Sequence, residues 1–239
     1  MKQLVLTKEQ FASKIDHTAL KAETTENDIK VLAAEAAKFH FFSVCVNPDR
    51  VSAAFSALRK KSMSDVKITS VVGFPLGANK SITKAFEAEN AVKNGALEID
   101  MVANIGRLMD RDFNYVENDI NEVLRAIPSQ ILLKVIIEIS ALPQELKKDA
   151  AKIVANTKAA FIKTSTGFHK KGGATIEDVS LLYSVVGGIK QIKAAGGISD
   201  LKTALAMISA GADRIGMSSS VSIMQEFPPE GKVTIISNR

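Results

Sequence analysis

Charged side chains end several short apolar segments of this 239-residue sequence. Lys163 and Lys193 each follow a central isoleucine, and Asp100 alternates with apolar residues in Leu97–Met101. Successive side chains of a β-strand point to opposite faces, so each charge takes the face opposite its apolar neighbours. If the apolar faces lie under helices, the charges point into the interior of a barrel. Lys134 and Glu138 share one parity of a further segment in the same way.

Two lysines in one pocket could form a carbonyl-trapping site. Repulsion between two ammonium groups, together with apolar walls, lowers a lysine pKa and frees an amine to attack a carbonyl. Asp100 could hold the second lysine charged or transfer a proton through water. The alternative is an interior ion-pair network that only sets packing, although buried charges are costly unless they are paired or used.

Glycines and serines follow the last two apolar segments. Gly196-Gly197 comes after Lys193, and Ser218-Ser219 comes after the segment that ends at Met217. Adjacent glycines let backbone N–H groups approach an anion, and a helix start adds a favourable dipole. The pattern predicts a phosphate site, which Gly167 extends, although a Gly-Gly pair alone is also typical of a tight turn.

Eight short β-branched segments alternate with Ala-, Lys- and Glu-rich helical stretches, after an opening helix-like segment. The predicted strands are 14–18, 41–46, 67–74, 97–103, 132–138, 160–164, 189–194 and 213–217. Strict alternation implies parallel strands joined by right-handed crossovers. We therefore predict an α/β fold: a (β/α)8 TIM barrel, one domain over residues 1–239, with a short N-terminal helix and its active site at the carboxyl ends of the strands. An open doubly wound sheet is the alternative, but no GxGxxG follows the first strand.

Composition narrows the class of protein. Hydrophobic residues make up 46% of the chain, which is enough for a substantial core, and the formal net charge of +5 suits anionic metabolites. We expect no nucleic-acid partner, because the basic residues are spread along the chain. No apolar run is long enough to span a membrane, and one cysteine excludes an internal disulfide. A soluble, cytoplasmic protein follows. Three scattered histidines offer no convincing zinc ligand set, so we predict no metal and no cofactor.

Several motifs together resemble the deoxyribose-phosphate aldolase family of class I aldolases, in the family's order from residue 15 to about residue 220. They are Ile15–Thr18, Cys45–Pro48, Val72–Gly77, Glu98–Asp100, Lys134–Glu138, Lys163–Phe168, Lys193–Ile198 and Arg214–Gly216. The resemblance implies reversible cleavage of 2-deoxy-D-ribose 5-phosphate to D-glyceraldehyde 3-phosphate and acetaldehyde, in deoxyribose phosphate catabolism.

The resemblance also implies roles for single residues. Lys163 forms the Schiff base, and Asp100 and Lys193 serve the proton transfers, with Lys193 lowering the pKa of the Lys163 amine. The residues that line the substrate are Asp16 and Thr18 at the sugar end and Gly167, Gly196, Gly197, Ser218 and Ser219 at the phosphate. We expect a homodimer or a higher homo-oligomer.

The chain departs from some relatives. Phe168 stands where some carry a lysine, with Lys170 and Lys171 close behind, so either lysine could contact the phosphate. Ser220 replaces a commoner glycine, and the tail lacks a terminal tyrosine.

Two other hypotheses remain. The first is a phosphate-binding barrel isomerase or epimerase that uses a carboxylate or a metal, in which Asp100 and Glu138 could fill the acid and base roles. The second is a catalytically silent barrel that binds a sugar phosphate or a protein partner. Trapping of an imine separates the first from an aldolase, and ligand binding without product would favour the second.

Overall fold

Eight short parallel strands close into a barrel in the computed structural model, which describes residues 2–59 and 65–237. A separate strand, β1 (Lys2–Thr7), precedes the barrel. The barrel strands are β2 (Ile15–Ala19), β3 (Ser43–Val46), β4 (Lys67–Val72), β5 (Glu98–Val102), β6 (Leu132–Ile136), β7 (Phe161–Lys163), β8 (Gln191–Ala195) and β9 (Arg214–Met217). They follow one another around the ring in chain order, and β2 pairs with β9 to close it. The predicted TIM barrel is confirmed, and the open sheet is wrong.

Helices connect the strands on the outside. They are α1 (Lys8–Ala12), α2 (Glu26–Phe39), α3 (Val51–Arg59), α4 (Ser81–Lys93), α5 (Ile105–Met109), α6 (Phe113–Ala126), α7 (Gln144–Asn156), α8 (Ile176–Val186), α9 (Leu201–Ala210) and α10 (Ser220–Gln225). The short N-terminal helix expected from the sequence is α1.

Strand alternation separates an apolar layer from a charged one. Ile99, Val135 and Ile162 are fully buried in the cluster between the strands and the helices. Their neighbours Asp100 and Lys134 point the other way, into the barrel, where they are buried as well. Each apolar side chain removed from water contributes about 1.5 to 3 kcal/mol. The aliphatic outer layer therefore holds together an interior that is largely ionic.

Polar caps fix where the last helices begin. The Thr175 side chain accepts a hydrogen bond from the Asp178 amide at the start of α8. The Asp200 side chain accepts one from the Thr203 amide at the start of α9. Each cap satisfies an amide that the helix cannot. The loops that precede α8 and α9 are thereby held at the carboxyl ends of the barrel strands.

The chain termini differ from the prediction. Residues Lys2–Thr7 form strand β1 rather than part of a helix, and they pair antiparallel with β10 (Lys232–Ser237). Neither segment was predicted as a strand from its own sequence, because each forms a strand only by pairing with the other end of the chain. The last two residues of the tail, 238–239, lie outside the described residues.

Candidate active site

A cavity of about 500 Å³ opens at the carboxyl ends of β2, β7, β8 and β9. Thr18, near the end of β2, and the loops after β7, β8 and β9 form its walls, the loops contributing Gly167, Gly196, Gly197 and Ser218. Among the described residues that line it, only Lys21 and Lys163 carry a charged side chain. The cavity therefore combines backbone-rich walls with two amines.

Lys163 lies at the floor of the cavity, at the end of β7. Its Nζ atom donates to Asp100 Oδ2 at 2.8 Å. Lys193 Nζ donates to the same oxygen at 2.7 Å, and Lys134 Nζ donates to Asp100 Oδ1 at 2.8 Å. Asp100, Lys193 and Lys134 are fully buried beneath the cavity and do not line it. One carboxylate thus joins three amines that come from three neighbouring strands.

A second row of charges lies deeper in the barrel. Asp16 Oδ2 is 2.5 Å from Lys193 Nζ, and Asp16 Oδ1 is 2.8 Å from Arg214 Nη1. Glu98 Oε2 is 2.5 Å from Lys134 Nζ and 3.2 Å from Arg214 Nη1. Strand parity predicts the interior position of Lys134, whereas Arg214, which completes the row, was not predicted there.

Aromatic rings and hydroxyl groups complete the deeper row. The Arg214 guanidinium lies 3.4 Å from the centroid of the Phe42 ring, and Ser43 donates to Asp16 Oδ1 at 2.7 Å. Thr69 donates to Glu98 Oε2 at 3.2 Å. These contacts satisfy carboxylate oxygens that burial removes from water.

The charges shift one another's pKa values. Burial on its own raises the pKa of Asp100, but Lys134, Lys163 and Lys193 outweigh burial and hold that pKa well below its usual range. Burial on its own lowers the pKa of Lys193, but attraction to Asp100 and Asp16 outweighs burial and raises it. Two carboxylates thus hold the Lys193 ammonium group in its charged form.

Asp16 and Thr18 lie at different depths in the barrel. Thr18 lines the cavity, as expected. Asp16 lies below the cavity with no exposed surface, because the barrel register pairs it with Ser43 in the lower part of β3. The structure therefore does not bring Asp16 to the cavity surface beside Thr18. Its carboxylate instead holds Lys193 and Arg214.

Three glycines form the wall opposite β2. Gly167, Gly196 and Gly197 have φ values of 84°, 86° and 76°, a region that L side chains rarely adopt. A Cβ atom on Gly173 would lie 2.2 Å from the Gly196 carbonyl oxygen, so these loops touch through their backbones. Such loops can turn N–H groups towards an anion.

Of the other residues considered as phosphate ligands, some line the cavity and others do not. Ser218 lines the cavity, whereas Ser219 does not and precedes α10. Lys170 and Lys171 do not line it either; among the described residues, the cations that do are Lys163 and Lys21, which lies in the loop after β2. A lysine in a polar loop gives no periodic signal, so the sequence analysis did not single out Lys21.

Glu138 has a structural role that the sequence did not reveal. It follows β6 in a left-handed conformation with φ 46°. Its carboxylate accepts hydrogen bonds from the backbone N–H and the hydroxyl of Thr166, which lines the cavity. Glu138 therefore holds the β7–α8 loop, and none of the described residues that line the cavity carries a carboxylate.

Apolar side chains cover the remaining interior face. Leu20, Cys45 and Val71 pack with Phe74, whose ring meets the Phe168 ring edge-on at 5.1 Å between centroids. Burial raises the pKa of the Cys45 thiol, so this cysteine is a neutral apolar group. These residues exclude water next to Lys163.

Within residues 2–59 and 65–237, no group of three or more His, Cys, Asp or Glu side chains is arranged to hold a metal ion. Over the same described ranges, no helix is both long and apolar enough to cross a membrane.

The closed barrel and the Lys163 amine, at the floor of a cavity at the carboxyl ends of the strands, define this chain as a (β/α)8 protein whose candidate active site contains a lysine. Residues 11–226 match the model of the DeoC/LacD family aldolases. The chain is 50% identical to a deoxyribose-phosphate aldolase of Halalkalibacterium halodurans over 221 residues, which cover 92% of this chain and 97% of the relative.

Solved structures agree with the sequence relatives. An aldolase named QR15 has a TM-score of 0.86 at 41% identity, over 91% of this chain and 95% of its own. A tetrameric deoxyribose phosphate aldolase from Aeropyrum pernix has a TM-score of 0.82 at 29% identity, over 92% of each chain. The chain therefore belongs to the DeoC/LacD family of aldolases. The family resemblance inferred from the motifs is confirmed.

Proposed function

We propose that this chain reversibly cleaves 2-deoxy-D-ribose 5-phosphate to D-glyceraldehyde 3-phosphate and acetaldehyde through a Schiff base on Lys163. The observation that carries the proposal is the Lys163 amine, which lies at the cavity floor and is bonded to the carboxylate that also binds Lys193. The neutral amine attacks the aldehyde carbon C1, and loss of water gives a protonated imine.

The imine accepts the electrons of the bond that breaks. A base removes the proton of the C3 hydroxyl, the C2–C3 bond breaks, and D-glyceraldehyde 3-phosphate leaves an enamine on Lys163. Protonation of the enamine at C2 and hydrolysis of the imine release acetaldehyde and restore the amine. Asp100 is the carboxylate in contact with Lys163, so we assign these proton transfers to Asp100, through water, with Lys193 as its cationic partner.

The count of charges beneath the cavity supports Lys163 as the nucleophile. The ion-pair network joins seven side chains: Asp16, Glu98, Asp100, Lys134, Lys163, Lys193 and Arg214. Three are carboxylates and four are cations, so one amine can lose its proton and leave the others paired.

Lys163 is the cation of the network with the fewest carboxylate partners. Lys193 is bonded to two carboxylates and Lys134 contacts three, whereas Lys163 is bonded to Asp100 alone. Since unpaired buried charge is costly, Lys163 is the cation whose charge the three carboxylates least require.

The far end of the cavity suits the phosphate group. Gly167, Gly196 and Gly197 offer backbone donors, Ser218 adds a hydroxyl, and the Lys21 ammonium supplies a charge. The phosphate binds there and directs C1 towards Lys163. This positions the reacting atoms without a metal ion.

The isomerase hypothesis fits the carboxylates less well. Glu138 is bonded to Thr166 and does not line the cavity. Asp100 is bonded to three amines, which would have no purpose in an acid–base isomerase.

We also infer one catalytic domain over residues 1–239, acting in the cytoplasm as a homo-oligomer. The tetrameric Aeropyrum pernix relative supports the oligomer. Light scattering of the purified chain measures its mass in solution.

Borohydride reduction in the presence of 2-deoxyribose 5-phosphate tests the reaction. We expect a reduced adduct on the Lys163 peptide by mass spectrometry, absent from Lys163→Ala and present in Lys170→Ala. The latter removes a lysine of the same loop that does not line the cavity. Cleavage of the sugar with Lys163 unmodified would contradict the imine, and no cleavage and no adduct would favour the isomerase or the silent barrel.

A further inference from the structure

Three hydrogen-bonded side chains lie behind the cavity wall formed by Met217 and Ser218. Glu35 Oε2 lies 2.9 Å from His17 Nε2, and His17 Nδ1 lies 3.0 Å from Ser220 Oγ. His17 and Ser220 are buried, whereas the Glu35 side chain is 37% exposed on α2. No step of the proposed reaction uses them.

This chain of hydrogen bonds ends on the loop between β9 and α10. His17 on β2 is the register partner of Met217, the last residue of β9. Ser220 Oγ also lies 3.1 Å from the Met217 carbonyl oxygen, across the turn formed by residues 218 and 219. Met217 and Ser218 line the cavity, so Ser220 bonds to the wall from its outer side.

The chemistry of the three groups fixes the direction of the bonds. A carboxylate only accepts hydrogen bonds, so Glu35 keeps the proton of a neutral His17 ring on Nε2. Nδ1 and the Met217 carbonyl oxygen are then both acceptors, and the one proton of the Ser220 hydroxyl is shared between them. Burial lowers the pKa of His17, and its bond and attraction to Glu35 oppose this only in part. The ring is thus neutral near neutral pH.

A Ser–His–Glu arrangement also occurs in nucleophilic enzymes. Ser220 is not a nucleophile here, because its hydroxyl has no exposed surface and does not line the cavity. The three side chains face away from the amines beneath the cavity, since His17 takes the face of β2 opposite Asp16. Their effect is on the position of the loop.

We propose that Glu35, His17 and Ser220 position the β9–α10 loop to bind the phosphate group of the substrate. The inference rests on the proposed function, because it takes the phosphate to bind between the glycines and Ser218. Loss of the linkage weakens binding of a phosphorylated substrate and leaves the chemistry at Lys163 unchanged.

Replacement of Ser220 by alanine tests the linkage at its inner end. We expect the KM for 2-deoxyribose 5-phosphate to rise about twofold to tenfold, the range for one lost hydrogen bond. The kcat and the kcat/KM for unphosphorylated 2-deoxyribose stay within about twofold of wild type, since neither depends on phosphate binding. Ser70→Ala is the matched control, because Ser70 is a buried serine bonded to a main-chain carbonyl and does not line the cavity.

Replacement of Glu35 tests the outer end, where folding is least affected. Glu35→Ala removes the acceptor of the Nε2 proton and raises the same KM. Glu35→Gln keeps an acceptor oxygen and restores the KM towards wild type. Glu26→Ala, on the same helix, removes an exposed carboxylate paired with Lys30 and leaves the KM unchanged.

Two results would overturn the inference: an equal rise in KM for both sugars, or equal effects of Ser70→Ala and Ser220→Ala. A wild-type chain that does not cleave the sugar would instead overturn the proposed function. In that case the His17 ring resonances, recorded by NMR with inorganic phosphate, still test the linkage. We expect phosphate to shift them in the wild type and not in Ser220→Ala, and no shift in the wild type would contradict the inference.

Discussion

Replacement of Lys193 by methionine tests whether the positive charge of Lys193 favours the neutral amine that Lys163 needs for attack. Methionine keeps an unbranched apolar side chain, so the buried site stays filled while the ammonium group is lost. Lys193 Nζ and Lys163 Nζ lie 2.7 Å and 2.8 Å from the same oxygen of Asp100. Two donors bonded to one oxygen are about 4 to 5 Å apart.

The expected effect follows from this distance. At an effective dielectric constant of about 20, two unit charges about 4 to 5 Å apart repel by about 3 to 4 kcal/mol. Because about 1.4 kcal/mol is a factor of ten, loss of the Lys193 charge makes a neutral Lys163 amine at least about 100-fold rarer at a given pH. We expect kcat/KM near neutral pH to fall by about that factor. The acid limb of the pH–rate profile moves up by about two pH units.

Acetaldehyde release, coupled to NADH oxidation by an alcohol dehydrogenase, measures the rate between about pH 6 and pH 10. Borohydride trapping over the same range reports imine formation directly. Lys147→Met is the control, since Lys147 pairs with Asp178 between two outer helices. An equal loss of rate at every pH, with trapping unchanged, would refute the charge argument and leave Lys193 as a proton donor only. Circular dichroism checks that the variant folds, because breaking a buried ion pair costs about 3 to 5 kcal/mol.

Two further predictions concern binding and stability. Lys21→Met removes the cation of the phosphate wall, so we expect the KM for the phosphorylated sugar to rise about tenfold, measured against Lys170→Met, which should match wild type. In the folded protein, the lysines around Asp100 outweigh its burial and hold its pKa well below the ordinary value. Its contribution to stability is therefore present above the unfolded pKa of about 3.9 and is lost as the pH falls below it towards the folded pKa. We expect the free energy of unfolding, measured in urea, to fall between about pH 5 and pH 3 with a slope of up to about 1.4 kcal/mol per pH unit. Asp100→Asn should lack this part of the slope. An identical slope in both proteins would contradict the prediction.

The interior face of each strand could be predicted from the sequence because it depends on a local period of two. The parity of Lys134, Lys163 and Lys193 was enough to direct them into a closed barrel. Strands β1 and β10 were not predicted, since each depends on a partner at the other end of the chain. Local periodicity carries no information about such a pairing.

The depth of each charge in the barrel could not be predicted either. Asp16 and Thr18 are two residues apart on one strand, yet one binds cations below the cavity and the other lines it. Which residue reaches the cavity depends on the stagger between neighbouring strands, a property of the whole barrel. Arg214 was missed because its carboxylate partners, Asp16 and Glu98, lie far from it along the chain and meet it only in the closed barrel.

The excess of one cation explains why the chain keeps so costly an interior. A barrel filled with apolar side chains of similar volume would be at least as stable as one filled with paired ions. If the charged side chains only filled the barrel interior, equal numbers of cations and carboxylates would be enough. An excess charge would then have no reason to lie at the cavity. The excess is instead a cation, and among the described residues the only member of the network that lines the cavity is Lys163. An interior that holds one amine able to give up its proton at the cavity floor is the arrangement that attack on a carbonyl requires.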